Sequence, residues 1–194
     1  MQCANRPCVA GCPVAIDIPA FIKAIAEGRD ADAVAVIKRT SLLPSVCGRV
    51  CPQETQCMEK CTLGKVLKDV EKSVAIGRLE RYVADLERES GKTVPPAVKP
   101  DTGKKVLVVG SGPASITFAV DVRREGHSVT MCEALHKSGG VLTYGIPEFR
   151  LPKAIVEMEI ENLRKMGVEI RNNFLVGRSS PLKRFIEENG YSGA

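Results

Sequence analysis

The sequence predicts two regions of different class: a helical region that carries cysteines and, after it, an α/β region of the dinucleotide-binding type. Three observations predict this. Seven of the eight cysteines fall before residue 62. Residues 106–133 read as strand, glycine turn, helix and strand, ending on an acid. Between them Ser90–Gly103, SGKTVPPAVKPDTG, is rich in proline and small residues and reads as a linker. The regions so drawn are 1–89, 90–103 and 104–194.

Size and composition narrow the class. A chain of 194 residues holds one or two domains and buries a real core. It has no Trp, 4% aromatic residues and a net charge of +5 without long basic runs, so it offers nucleic acid neither stacking surface nor basic stripe. Cysteines and prolines stand where a signal peptide needs an apolar run. Nowhere do 18 apolar residues run together, so no membrane span is expected. Cysteines crowded ahead of a cofactor-type fold favour metal ligation in a reducing compartment, and a cytoplasmic enzyme.

The cysteines form two groups. Cys3, Cys8 and Cys12-Pro13 are spaced C-x4-C-x3-C-P; Cys47, Cys51-Pro52, Cys57 and Cys61 are spaced C-x3-C-P-x5-C-x3-C. Close cysteines ending in Cys-Pro are the pattern of iron–sulfur ligation, because proline holds the chain extended and removes an amide as the loop curls round a cluster. Zinc also takes four thiolates but favours paired C-x2-C knuckles, which this sequence lacks. Disulfides rank third.

Two short helices are expected between the groups. Asp17 caps the first, Pro19 suits its opening turn, Phe21, Ile22 and Ile25 give it an apolar face, and Gly28 ends it. Asp30 caps the second, which carries Val34 and Ile37 and stops before Pro44. A longer helix is expected from Lys68 to Glu89, with Ile76, Leu79, Val83 and Leu86 on one stripe. Glu80 adjoins that stripe with no cation three or four residues away. Such an acid either snorkels to water or ligates a metal, which would offset the cost of burying it. Cys47 competes for the same ligand role, being a thiolate in the turn Cys47–Val50 ahead of Cys51.

In the α/β region Val106–Val109 runs into Gly110-Ser111-Gly112-Pro113-Ala114-Ser115, a helix follows through Glu125, and Ser128–Cys132 is a second strand ending on Glu133. The glycines let the backbone approach a pyrophosphate, which a helix N-terminus stabilises. Glu133, 23 residues past Gly110, suits an acid that accepts from a ribose hydroxyl. Ser115 replaces the usual third glycine. Gly139-Gly140 and the loop to Lys153 then read as a pocket wall with Arg150 able to meet phosphate. A further helix opens at Pro152 with Ile155, Met158, Leu163 and Met166 inward. Val168–Ile170 is a third strand and Pro181–Asn189 a last helix. His127 and His136 read as solvated, and Cys132 as core.

Cys3…Cys12-Pro13, Cys47…Cys61, VGSGPASIT and GGVLTYGIPEFRLPK, in that order, resemble one family. It includes the small subunit of NADPH-dependent glutamate synthase, the large subunit of NADH-dependent ferredoxin:NADP oxidoreductase, and the N-terminal part of dihydropyrimidine dehydrogenase. The resemblance implies an α-helical domain with two [4Fe-4S] clusters, followed by a Rossmann-like FAD-binding domain that is incomplete here. It implies FAD contacts from Gly110, Gly112, Pro113, Ala114, Ser115 and Glu133, with Gly140, Leu142, Arg150 and Val176 lining the pocket. One cluster would take Cys3, Cys8 and Cys61, and the other Cys12, Cys51 and Cys57. Glu80 falls where the family places a non-cysteine ligand, and is preferred to Cys47.

The family's first cysteine would stand immediately before Met1, whose thioether is a poor substitute. The second glycine-rich turn, for NADPH, is not in the sequence. Both features imply a piece of a longer enzyme. The expected function is electron relay between NAD(P)H, FAD and the clusters, with no catalytic side chain assigned. The partner would be a second subunit, either the glutamate synthase large subunit or a ferredoxin-reductase-like flavoprotein, with ferredoxin also a candidate. NADH and NADPH both stay open. The rival reading is a non-catalytic docking module with structural zinc.

Overall fold

Asp17 starts the first core. In the computed structural model, which describes residues 3–91, 93 and 95–194, its carboxylate accepts the Ala20 amide at 3.4 Å and opens helix α2, Ile18–Ala26. A single turn of helix, α1 (Pro7–Ala10), precedes it. Gly28, at φ +71°, reverses the chain into α3, Asp30–Lys38. Asp30 lies inside α3 rather than capping it; Arg29 holds the cap position, and Asp30 and Asp32 meet the positive end of the helix dipole. Helices α4 (Pro44–Val50), α5 (Thr62–Leu67) and α6 (Ile76–Glu89) complete this unit. Phe21, Ala33, Ile37 and Val83 are fully buried between α2, α3 and α6. Burying a side chain such as Phe21 contributes about 1.5–3 kcal/mol.

Two expectations here are corrected. No helix runs on from Lys68: that residue sits at φ +52° and ends α5, and α6 begins only at Ile76. The Asp69 amide closes on Gly64 O, and the Ser73 hydroxyl donates to Met58 O at 3.1 Å, so the connection folds back instead of continuing. Leu86, expected on the buried stripe, is 42% exposed. Cys47, expected in a turn, is helical, because Pro44 opens α4 ahead of it. Met1, and Lys92 and Val94 of the expected linker, lie outside the described residues.

The chain divides into two compact units, Met1–Thr93 and Val94–Ala194. In the second, β1 (Lys105–Val109), β2 (Ser128–Cys132) and β3 (Glu169–Arg171) form a parallel sheet in that order, with Val106 opposite Val129 and Thr130 opposite Glu169. Helix α7 (Pro113–Arg124) connects β1 to β2. Helices α8 (Val141–Tyr144) and α9 (Lys153–Lys165) lead from β2 to β3, and α10 (Leu182–Glu188) follows. Beyond the other edge of β1, Val106 bridges Gly193 in parallel, and the Leu107 amide donates to Gly193 O at 2.9 Å. Leu107, Met131 and Leu163 are buried between sheet and helices.

The region read as a linker is pinned at its far end. The Lys99 amide donates to Arg124 O at 3.0 Å and the Thr102 amide to Gly126 O at 3.2 Å. His127, read as solvated, bonds the Thr102 hydroxyl through Nδ1 at 2.5 Å.

Candidate functional site

The first unit gathers its cysteines on loops and helix ends. Cys8 lies on α1, behind Pro7, and Cys61 occupies the cap position of α5. Together with Cys3 they line a small cleft whose walls include Ile18, Ile22 and Val74. Burial pushes the Cys8 thiol up. Burial works against Cys61 as well, but backbone amides, first that of Val74 and then those of Gly64 and Leu63, outweigh it and hold that thiol down. Donors aimed at a sulfur are what a thiolate ligand requires.

A second set lies at Cys12, Cys51, Cys57, Cys47 and Glu80. Cys57 is pushed up to about 11, by burial and then by Cys12, with Glu80 adding to the effect. Cys51 is held down to about 7, chiefly by a hydrogen bond from Cys47, while that bond and burial hold Cys47 well above the usual thiol range. The Ser41 hydroxyl lies 3.9 Å from Cys47 Sγ. Glu80 is 5% exposed, and burial, with Cys51 nearby, pushes its carboxyl up to about 8. Its Oε1 is buried with no hydrogen-bond partner. Leaving such an atom unpaired costs about 1–3 kcal/mol, more if ionised.

This donor set fits an iron–sulfur cluster. A zinc ion needs its donors gathered about 2.0–2.3 Å from one point. Among the described residues no three His, Cys, Asp or Glu side chains are gathered closely enough to hold one ion. A multi-iron cluster takes its ligands at separate corners, and its positive irons would satisfy Glu80 Oε1.

In the second unit, Gly110 takes φ +91° at the end of β1, and Gly112 is extended at the start of α7 with Pro113 in the first turn. The amides of Ala114 and Ser115 fall in that turn, where a helix offers no acceptor. Gly140, at φ +53°, packs on the same turn; a Cβ there would stand 2.8 Å from Gly112 Cα. Glu133 is 6% exposed, accepting from the Ser111 hydroxyl and, at 2.8 Å, from the Leu135 amide. The Gly139 amide donates to Ser111 Oγ at 2.9 Å. Ser111 thus ties the glycine turn, the acid and the Gly139-Gly140 loop together, a role that the glycine pattern, which assigns no contact to this residue, does not reveal.

The remaining pocket residues are less uniform. Leu142 is buried; its amide donates to Gly139 O at 3.0 Å and its carbonyl accepts from Lys153 Nζ at 2.9 Å. Arg150 is exposed. Val176 is half-buried against the cluster of Leu107, Cys132, Phe185 and Tyr191 and bridges Ser180. Cys132 is buried in β2.

Comparison with known proteins agrees with both units. Residues 1–92 match the family described as dihydropyrimidine dehydrogenase domain II, 4Fe-4S cluster. The chain is 37% identical over 190 residues to the NAD-dependent dihydropyrimidine dehydrogenase subunit PreT of Escherichia coli K12, covering 97% of this chain and 45% of that protein. It is 35% identical over 181 residues to the glutamate synthase [NADPH] small chain of Azospirillum brasilense, covering 93% and 37%. It is 38% identical over 183 residues to the NADPH-Fe(3+) oxidoreductase subunit beta of Geobacter sulfurreducens KN400, covering 92% and 26%. The chain spans less than half the length of each of these relatives. A 4Fe-4S-type helical domain followed by a parallel α/β segment makes this chain the counterpart of the N-terminal region in the NAD(P)H-dependent oxidoreductase subunit family that includes the glutamate synthase small chain and PreT.

Proposed function

We propose that this chain is the electron-relay region of an NAD(P)H-dependent oxidoreductase subunit. The first unit holds two [4Fe-4S] clusters, one on Cys3, Cys8 and Cys61 and the other on Cys12, Cys51, Cys57 and Glu80, with Cys47 a buried neighbour. The second unit holds FAD. The turn Gly110–Ser115 receives the pyrophosphate, Glu133 accepts from the ribose, and Gly140, Leu142, Arg150 and Val176 lie along the ligand. FAD held by Gly110–Ser115 and Glu133 would supply two-electron hydride chemistry with a nicotinamide, and clusters held by the cysteines and Glu80 would supply one-electron transfer. The longer protein would supply the nicotinamide site, and a second subunit in the cytoplasm would exchange electrons with the clusters. No helix among the described residues is long and apolar enough to cross a membrane.

The observation that carries this reading is the buried, unpartnered Glu80 Oε1 among Cys51 and Cys57. Protein side chains alone leave its cost standing, and a positive metal centre removes it. Anaerobic purification followed by iron, sulfide and zinc analysis and a visible spectrum tests it. Iron with matching sulfide and broad absorbance toward the blue is expected. Zinc without iron, and no such absorbance, would overturn the reading in favour of a structural zinc module.

A further inference from the structure

Helix α4 lies along one stripe of α6, and three contacts fix where along it. Gly77, Arg81 and Asp85 are spaced four residues apart, so they stand one above another on a single face of α6. The Gln53 side chain occupies the place a Cβ would take at Gly77, and its Nε2 donates to Cys47 O at 3.1 Å. One turn on, Gly48 abuts the backbone of Arg81 so closely that a Cβ would stand 2.6 Å from its nitrogen. One turn further, Arg49 Nη2 reaches both oxygens of Asp85, at 2.6 and 2.7 Å, while Nη1 donates to Ser45 O at 3.0 Å.

This ion pair is poorly suited to stabilising the unit. The Arg49 side chain is 5% exposed and its buried Nε has no partner, so much of what the pair contributes goes into desolvation. The best-attested use of such a pair is to specify register. Register matters here because Glu80 precedes Arg81 on α6, and Cys51 directly follows α4. A slip of one helical turn would carry Glu80 about 5.4 Å along the axis and away from Cys51.

We propose that Arg49 and Asp85 are positioning residues that set the register of α4 on α6 and so hold Glu80 against Cys51 as the oxygen ligand of the second cluster. The inference rests on the reading of Glu80 as a ligand. The test uses the full chain purified anaerobically, with the iron content and spectrum of the native chain as the reference. Arg49→Met combined with Asp85→Leu replaces the ion pair by apolar groups of similar size. The expected result is unchanged helicity by circular dichroism. The second cluster should show shifted g-values in the reduced-state EPR spectrum, or be lost together with its iron.

Exchanging the charges, Arg49→Asp with Asp85→Arg, should recover part of the native signal. If the apolar variant does not fold, Arg49→Lys decides by the same spectrum, since lysine keeps the charge but cannot span both oxygens from a planar group. Native g-values for both clusters in the folded variant would overturn the proposal. Glu80→Ala measured in parallel separates the two ideas. If it changes the second cluster while the register variants do not, the positioning role alone falls. If it changes nothing, the ligand reading falls and the positioning role with it.

Discussion

Each unit buries one glutamate to nearly the same degree, Glu80 at 5% exposure and Glu133 at 6%, and the two are treated in opposite ways. Both oxygens of Glu133 have protein partners, Ser111 and the Leu135 amide, and through Ser111 the acid organises the glycine turn. Glu80 has an oxygen with none. A buried acid that the protein satisfies is part of the scaffold, with lone pairs to spare for a ligand. One that the protein leaves unsatisfied marks a position whose partner comes from outside the polypeptide.

The comparison breaks most visibly at Glu80. Replacing it with Ala should cost the second cluster and its iron, whereas Cys47→Ala should leave that cluster in place. Loss of iron in Cys47→Ala alone would move the ligand role to the thiol.

Removing the metal should expose the same acid to titration. With the folded carboxyl raised from its ordinary 4.5 to about 8, the folded chain keeps a proton that the unfolded chain releases. Stability of the metal-free chain should therefore fall as pH rises through that window. Cys51, lowered from 9.0 to about 7, acts in the opposite sense only between those two values. Thermal midpoints at about pH 5 and about pH 7 should differ in the native chain and converge in Glu80→Gln. Equal slopes in the two chains would show that another group is responsible.

Glu133→Ala should have a smaller effect, weakening FAD binding by the loss of a charge-assisted bond worth about 1.5–3 kcal/mol. Calorimetric titration into a chain extended through the rest of the protein checks this, and unchanged affinity would remove Glu133 from the ribose. Ser111→Ala sharpens the contrast further. It should lower thermal stability by about 1–3 kcal/mol, because the Gly139 amide loses its acceptor. An unshifted unfolding midpoint would mean that water replaces the hydroxyl.

The strands, the glycine turn and the α2 cap were legible because each depends on local chemistry: a run of valines, a positive φ at Gly110, a carboxylate three residues before an amide. The break at Lys68 was not. Nothing in the residue type disfavours helix there, and what ends α5 is the left-handed turn at Lys68 that brings the Asp69 amide back to Gly64 O. Cys47 was misread for a related reason, since Pro44 was taken as the end of one element rather than the start of another. At the sites, spacing grouped cysteines but left Glu80 ambiguous between a solvated edge and a ligand. Its burial depends on how α4 lies along α6, which no short window of sequence contains.

The bridge between Val106 and Gly193 carries a consequence for the order of folding. Pairing β1 with β2 closes a loop of 23 residues, counted from Val106 to Val129, whereas the bridge on its other edge closes one of 87. The longer closure costs roughly 1 kcal/mol more chain entropy. The interior strand of the second unit should therefore be completed late, after the local helix pairs of the first. In a pulse-labelled refolding experiment the Gly110 amide, bonded to Cys132 O, should become protected before the Leu107 amide, bonded to Gly193 O. The reverse order would mean that the last residues of the chain dock on β1 before its neighbouring strand does.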